Sequence, residues 1–136
     1  MVIIVGCGRM GSLVAASLSR QGKSVIVIDS SESSFNHLSN DFSGFKIAGD
    51  ATQVEILKQA KIAQAQLLLV LTGNDSINLS VAQVGMRFFN VPQAIARVSD
   101  PGREDLFKKL GVKTICPVNL GVNALLRMIG SDIKDD

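Results

Sequence analysis

Three glycines near the amino terminus have the spacing of a phosphate-binding turn. Gly6, Gly8 and Gly11 follow the apolar run 2–5 and begin a segment with helical periodicity. Gly6 suits a tight turn, Gly8 a close approach of the backbone to phosphates, and Gly11 close packing of the helix on its strand. Phosphate oxygens can then bind the exposed N–H groups at the start of the helix. The segment is therefore predicted to bind the phosphates of a nucleotide.

A carboxylate follows at the distance that such a site requires. Asp29 lies 18 residues after Gly11, at the end of the apolar run 24–28. This type of site places an acid about 20 residues after the glycines, where it accepts hydrogen bonds from ribose hydroxyls. The alternative is a turn or helix-start acid with a neighbouring serine as the cap. Because a carboxylate repels a 2′-phosphate and no arginine occurs within residues 30–33, NADP is disfavoured.

Arg9 directly follows the second glycine, at the predicted helix start. The helix dipole already attracts anions there, and a guanidinium adds bidentate contacts to a phosphate. A dehydrogenase loop does not require this arginine. Arg9 therefore favours a ligand with exposed charged phosphates, such as ADP or ATP, and the alternative is a solvated surface arginine.

Asp50 and Ala51 follow the third apolar run, on the side where the base of a bound nucleoside would lie. Thr52 and Glu55 match a capping box, which explains that pair without a ligand. The box leaves Asp50 unexplained. Recognition of the base and a purely local role for Asp50 both stay open.

Four residues follow the fourth apolar run, at the predicted mouth of the same cleft: Thr72, Gly73, Asn74 and Asp75. Their polar groups can face ligand phosphates or a ribose, or Asn74 or Asp75 instead caps the long helix that follows. Arg97 interrupts the apolar run 94–98 and requires an anionic partner or an exposed strand end. A ligand phosphate, another subunit and Asp100 are the candidate partners.

The residue inventory argues against catalysis. The chain contains no tyrosine, so the Tyr–Lys pair that moves a proton in short-chain dehydrogenases is absent. His37, the single histidine, lies in the predicted second helix, far from the glycine turn, and is interpreted as a surface residue. The Walker lysine pattern of phosphoryl transfer is absent as well. We therefore expect a binding protein without catalytic residues rather than an enzyme.

Two cysteines, Cys7 and Cys116, are too few for a disulfide framework and lack the spacing of metal ligands. In the predicted sheet their strands are three positions apart, roughly 14 Å, beyond the ~7 Å limit on the Cα separation of a disulfide. Free thiols and no metal site are predicted. Cys7 lies inside the glycine turn, where redox sensing is an alternative to simple packing.

Apolar segments alternate with helical patterns along the chain. The strand candidates are residues 2–5, 24–28, 45–48, 67–71, 94–98 and 113–115. Near-continuous apolar runs are typical of parallel strands covered on both faces, and right-handed crossovers then give the order 3-2-1-4-5-6. The predicted fold is an α/β, Rossmann-like, doubly wound parallel sheet, with the ligand crevice beyond the ends of the first and fourth strands. Residues 1–130 form one predicted domain and 131–136 a short polar tail.

Composition excludes several classes of partner. The net charge of the 136 residues is +2 with acids and bases well mixed, so no electrostatic footprint for nucleic acid is present. No apolar run approaches the ~20 residues that span a bilayer, and Met1 leads into a strand without a signal sequence. We expect a cytoplasmic protein without direct membrane insertion. A mean hydropathy of +0.29 suggests that another chain covers some apolar surface.

Two helical segments are candidates for that covered surface. The helix predicted over 74–90 carries two apolar stripes that point in nearly opposite directions: Ile77, Val81, Val84 and Phe88 on one side, and Leu79, Ala82, Met86 and Phe89 on the other. The segment 118–129 is apolar on most sides. A homodimer that uses these helices is predicted. The alternative is a helix wedged between the sheet and the terminal helix of one subunit.

The joint pattern resembles the RCK or KTN (TrkA-N) domains, which are cytosolic nucleotide-binding regulators of potassium channels and of Trk or Ktr potassium uptake systems. Nearly the whole chain takes part in the resemblance. The matching segments are residues 3–11, 25–29, 49–52, 69–75 with Asn78 beyond, and 94–100. Such regulators often carry a further C-terminal ligand-binding subdomain, and the sequence given stops near Asp136.

The resemblance implies roles for particular residues. It places Asp29 at the adenosine ribose and Asp50 by the adenine, with Thr72 to Asp75 along the border of the site. Around the phosphates it places Gly8, Arg9, Met10 and Gly11. Ligands of the family include ATP, ADP and NAD(H).

The resemblance also implies dimers that assemble into rings and gate a separate integral membrane potassium channel or transporter, from the inner face of the membrane. The expected mechanism is differential binding, in which one nucleotide favours one arrangement of adjacent subunits. Two alternatives remain from the residues. One is an NAD-dependent oxidoreductase domain that lacks its catalytic partner, and the other is a degenerate Rossmann scaffold that binds only protein.

Overall fold

A six-stranded parallel sheet organises residues 1–130, which are the residues that the computed structural model describes. The strands are β1 (Val2–Val5), β2 (Val25–Asp29), β3 (Phe45–Ala48), β4 (Leu67–Val70), β5 (Gln93–Arg97) and β6 (Lys113–Ile115). Their order is β3-β2-β1-β4-β5-β6, and every neighbouring pair is parallel. This confirms the predicted fold class and strand order. The predicted polar tail 131–136 lies outside the described residues.

Within residues 1–130, five α-helices connect or follow the strands. They are α1 (Arg9–Arg20), α2 (Val54–Gln59), α3 (Asp75–Phe88), α4 (Glu104–Lys109) and α5 (Pro117–Ile129). The helix predicted after β2 is instead a short 3-10 segment, Glu32–His37. The hydroxyls of Ser31 and Ser33 form a hydrogen bond of 2.9 Å with each other. Local hydrogen bonds of serine side chains compete with a regular helix.

The central strands are buried on both faces, as predicted for a doubly wound sheet. Along β1, Ile3 and Val5 belong to the core beneath α2 and α3, whereas Val2 and Ile4 belong to the core beneath α1. Burial on both faces fixes the register of these strands, since a slip by one residue exchanges the two cores. Because all six strands are parallel, their carboxyl ends lie at the same edge of the sheet.

The two predicted stripes of α3 do not face opposite partners. Seven of the eight stripe residues belong to or pack against one core cluster, and Phe88 alone is open, at 76% exposed. The helix lies close against β4 and β5 with Gly85 at the contact, where an added Cβ would lie 2.5 Å from a methyl of Leu68. Such a close approach lets the flanks of the helix reach the same core. Within residues 1–130 the two stripes thus share one core, and a subunit contact at α3 stays a prediction, for which Phe88 is the open residue.

The helix α5 has the surface that the sequence predicted for segment 118–129. None of its residues is buried, and seven of its large apolar side chains are at least 40% exposed. The exposed set consists of Val118, Leu120, Val122, Leu125, Leu126, Met128 and Ile129. None of the helices in residues 1–130 combines the length and the apolar character that a bilayer crossing demands.

Candidate nucleotide-binding site

A cleft opens at the carboxyl edge of the sheet, between the ends of β1 and β4. Its volume is about 440 Å³, a size typical of small-molecule sites. Nine predicted site residues line it: Gly6, Gly8, Asp29, Asp50, Ala51, Thr72, Gly73, Asn74 and Arg97. The crevice therefore lies where the strand order reverses, as predicted.

The glycine turn closes tightly over the ends of β1 and β4. Gly6 has φ +103°, and a Cβ there would lie 2.9 Å from the backbone of Leu71 and Thr72. A Cβ on Gly11 would lie 1.8 Å from the carbonyl oxygen of Gly6. Both glycines are thus required by the protein's own backbone, which confirms the predicted turn at Gly6 and the close helix packing at Gly11.

Gly8 differs from these two glycines. Its φ is −85°, and a Cβ built on it meets no atom within 4 Å. It caps α1 without a side-chain hydrogen bond, and the first turn of α1 contains no acid. The N–H groups at this helix start are therefore open to an external anion. Packing within the fold therefore does not require a glycine at this position.

Asp29 is held at the end of β2 by two main-chain hydrogen bonds. Oδ2 accepts from the N–H of Cys7 at 2.7 Å, and Oδ1 accepts from the N–H of Ser31 at 2.8 Å. Each carboxylate oxygen keeps a lone pair for a further donor. The side chain is only partly buried and lines the cleft. Its carboxylate is therefore held at the cleft with acceptor positions still open.

His37 is exposed, as predicted, but it is not far from the glycine turn. Its Nδ1 lies 3.0 Å from the carbonyl oxygen of Cys7 and 2.9 Å from that of Ser34. The expectation of a large separation is therefore wrong. The short 3-10 segment after β2 folds back over the turn, whereas a longer helix would have carried the histidine away.

Cys7 is fully buried within the glycine turn, and Cys116 is buried as well; both are free thiols. Burial and the nearby Asp29 carboxylate raise the pKa of the Cys7 thiol, and Lys46 offsets this only in part. A buried thiol with a raised pKa forms little thiolate at neutral pH. Packing therefore explains Cys7 better than redox sensing.

The loop after β3 does not form the predicted capping box. The helix α2 begins at Val54, and its N-cap Gln53 makes no side-chain hydrogen bond. Thr52 instead donates from its N–H at 2.9 Å and from its hydroxyl at 2.6 Å to Oδ1 of Asp50. These two bonds hold the pKa of Asp50 below its usual value. Asp50 is therefore an ionised group that lines the cleft next to β3, with its Oδ2 free of hydrogen bonds within the described residues.

The loop after β4 is organised by Asn78, which is fully buried in α3. Its Oδ1 accepts from the N–H of Thr72 at 3.1 Å and from the Thr72 hydroxyl at 2.5 Å. Its amide donates to the carbonyls of Thr72 at 3.0 Å and of Arg97 at 2.9 Å. One side chain thus connects the ends of β4 and β5.

Asn74 and Asp75 have different roles. Asn74 lines the cleft and caps α3, since its Oδ1 accepts from the N–H of Ile77 at 3.0 Å. Asp75 is buried and accepts from the N–H groups of Ser99 at 2.7 Å and Asp100 at 3.1 Å. Asp75 therefore holds the loop after β5 and does not line the cleft.

Arg97 ends β5 and lines the cleft, with its Nε buried and without a hydrogen-bond partner among the described residues. Asp100, its alternative partner in the sequence analysis, accepts from the N–H of Gly102 and lies 3.6 Å from Arg103 instead. Arg9 and Met10 stand outside the cleft lining: Arg9 is exposed at the start of α1, and Met10 packs against the core beneath α1.

Comparison with known proteins agrees with this geometry. The profile of the TrkA-N domain matches residues 2–117. The chain belongs to the TrkA-N domain family. A Trk system potassium uptake protein TrkA from Streptomyces coelicolor is 33% identical over 128 residues, which make up 94% of this chain and 57% of that protein. The match covers between 30% and 59% of the length of these and other curated relatives.

Two solved structures resemble the TrkA-N domain described above and contain nucleotides. The GsuK channel bound to NAD has a TM-score of 0.78 and 30% identity, over 91% of this chain and 22% of that one. The C-terminal domain of Kef from Shewanella denitrificans, in its AMP-bound form, has a TM-score of 0.75 and 28% identity, over 96% and 82%. These comparisons confirm the family resemblance.

Sequence reasoning missed some parts of the TrkA-N site. Ser34 and the apolar side chains of Ile28, Leu71 and Ile77 also line the cleft. Asn78 enters the sequence analysis only as part of the family pattern, although its helical spacing from Val81 and Ala82 places the amide on the buried face of α3, which is a signal for a buried hydrogen-bond network. Within residues 1–130 no cluster of potential metal ligands is present.

Proposed function

We propose that this chain is the nucleotide-binding regulatory domain of a potassium uptake system or potassium channel. Its ligand is an adenine nucleotide, ATP or ADP, or NAD(H), and NADP is excluded by charge. The domain acts in the cytoplasm, at the inner face of the membrane, through an integral membrane partner. The named relatives and the AMP- and NAD-bound neighbours support this assignment.

The observation that carries the proposal is the position of Asp29 beside the open start of α1. The carboxylate is fixed by its bond to Cys7, and Gly8, after which the uncapped N–H groups of α1 begin, lines the same cleft. One nucleotide can bind both groups: its ribose hydroxyls donate to the carboxylate of Asp29, and its phosphates accept from the N–H groups at the start of α1. The free oxygen of Asp50 is available to the exocyclic amino group of adenine.

Binding without chemistry is the second part of the proposal. His37 lies on the β2 side of the cleft, the adenosine side, with Nδ1 engaged by main-chain carbonyls. The second nucleoside of a dinucleotide would lie on the opposite side, over β4 and β5, where no histidine exists. An oxidoreductase would therefore need groups from another chain. Sustained turnover of NADH with an electron acceptor would overturn this part.

Nucleotide binding can act on the membrane partner only through a second chain. We assign the contact with that chain to the surface of α5. Its seven exposed apolar side chains form a patch that a monomer rarely leaves in water. A homodimer, extended to a ring, would bury them. The ligand shifts the arrangement of subunits only to the extent that it binds one arrangement more tightly than the other. Light scattering should show a mass above the 14.5 kDa of one chain.

Thermal unfolding with a panel of AMP, ADP, ATP, NAD, NADH and NADP tests the ligand class. A ligand at 100 times its dissociation constant should stabilise the fold by about 2.7 kcal/mol. Raised unfolding temperatures with the adenylates or NAD(H) are expected, with little response to NADP. A flat response to the whole panel would overturn the proposal and leave a scaffold that binds only protein.

A further inference from the structure

Arg97 is a cation without a partner in a cleft that already contains two carboxylates. Its Nε is buried and donates to no acceptor within residues 1–130, where the arginine forms no ion pair either. Burying a donor without a partner destabilises a fold. The carboxylates of Asp29 and Asp50 line the same cleft but accept hydrogen bonds from the main chain and from Thr52. The arginine is thus arranged for a group that is not part of the chain.

The main chain around Arg97 is fixed by its neighbours. Its carbonyl accepts the 2.9 Å bond from Asn78, and the next N–H, of Val98, donates to Ile115 at 2.9 Å. Asp75 holds the following two N–H groups. The main chain that carries the guanidinium therefore needs no rearrangement when a ligand binds, which favours tight binding.

The position of Arg97 along the sheet identifies which ligand group it meets. Side chains alternate along β5, and Ile95, two residues before, packs against the core beneath α1. Arg97 therefore emerges on the face of the sheet that carries α1, whose open N-terminus is the predicted phosphate site. In the order β2-β1-β4-β5, the arginine lies beyond the phosphate site on the side opposite to Asp29.

We propose that Arg97 binds the phosphates beyond the α-phosphate, so that the site distinguishes ADP and ATP from AMP. This inference rests on the proposed nucleotide-binding function. With the ribose on Asp29 and the α-phosphate at the start of α1, the terminal phosphates extend over β4 toward the guanidinium. A planar guanidinium donates two parallel hydrogen bonds to the oxygens of one phosphate, and a terminal phosphate carries more negative charge than each phosphodiester of a dinucleotide.

The test is titration calorimetry of AMP, ADP and ATP, without divalent metal, on the wild type and on Arg97→Gln. Wild type should bind ATP and ADP more tightly than AMP. The variant should lose about tenfold or more in affinity for ATP and ADP, because a charge-assisted contact is removed, while its affinity for AMP stays within about twofold. Arg97→Lys should restore part of the loss. Arg103→Gln is the matched control, since that arginine is exposed outside the cleft and should change none of the three affinities.

Stability of the ligand-free variants separates this role from a structural one. Because Arg97→Gln removes an unpartnered buried donor, its unfolding temperature should equal or exceed that of the wild type, and a clear drop would indicate a structural arginine. Equal losses for AMP, ADP and ATP, or no loss at all, would overturn the inference while leaving nucleotide binding intact. Absence of all nucleotide binding by the wild type would overturn the proposed function and this inference together.

Discussion

The side-chain amide of Asn78 donates a hydrogen bond of 2.9 Å to the carbonyl oxygen of Arg97, 19 residues further along the chain. The same side chain binds Thr72 through three further hydrogen bonds. The walls of the cleft at β4 and β5 are therefore held together by one residue of α3. Any ligand that contacts either wall meets a surface that the fold has already arranged.

Replacement of Asn78 by alanine should destabilise the fold by roughly 2–4 kcal/mol, because it leaves buried polar groups of Thr72 and Arg97 without partners. Urea unfolding measures the change. Asn36→Ala, at an exposed position, is the control and should cost no more than about 0.5 kcal/mol. A loss below about 1 kcal/mol in Asn78→Ala would show that water replaces the network at little cost.

Asp29→Ala should weaken the binding of ATP, ADP or NAD by roughly 10- to 150-fold, the equivalent of one charge-assisted hydrogen bond. Titration calorimetry gives the dissociation constants of each nucleotide for the wild type and for Asp29→Ala. Asp41→Ala removes a carboxylate that is 58% exposed and paired with Arg20, and it should leave affinity unchanged. Similar losses in both variants would mean that net charge, and not the site, governs binding.

Wild type should bind NAD more tightly than NADP by roughly tenfold or more, because the ribose contact proposed for Asp29 places its carboxylate where it repels a 2′-phosphate. Competition between the two dinucleotides at equal ionic strength measures the ratio. Raising the salt concentration should reduce it, since screening weakens the repulsion. Equal affinities would show that the carboxylate does not face the ribose.

Gly8→Ala and Gly11→Ala should separate binding from folding. A methyl on Gly11 collides with the carbonyl of Gly6, so this variant should lose about 1–3 kcal/mol of stability or more. A methyl on Gly8 meets no protein atom, so stability should stay within about 1 kcal/mol while nucleotide affinity falls roughly 5- to 150-fold. Undiminished nucleotide binding by Gly8→Ala would place the phosphates elsewhere.

Stability should depend on pH through Glu104, whose carboxylate accepts from Asn119 at 2.8 Å and from Thr114 at 2.9 Å. These bonds lower the pKa of Glu104 in the folded state. The stabilisation is therefore complete above the ordinary glutamate pKa and disappears as the pH falls through the lower, folded value. Wild type should lose stability more steeply than Glu104→Gln as the pH falls below the ordinary glutamate pKa of about 4.3. Glu55→Gln, at an exposed position, should follow the wild-type slope.

Local patterns were enough to predict the architecture. Strand order, the glycine turn and the carboxylate at the end of β2 follow from apolar runs, glycine spacing and the handedness of crossovers, and the structure confirms all three. Each of these signals lies within about thirty residues or results from a general rule of chain connection.

Only the tertiary structure decided how the polar side chains are shared between ligand and fold. Asp75 turns to the loop after β5, Thr52 bonds Asp50 and not Glu55, and His37 returns to the glycine turn. Each of these outcomes depends on the path of a loop and on a partner elsewhere in the chain, and a hydrogen bond forms or fails within a few tenths of an ångström. For the same reason, only the assembled cleft reveals Arg97 as the cation left without a partner.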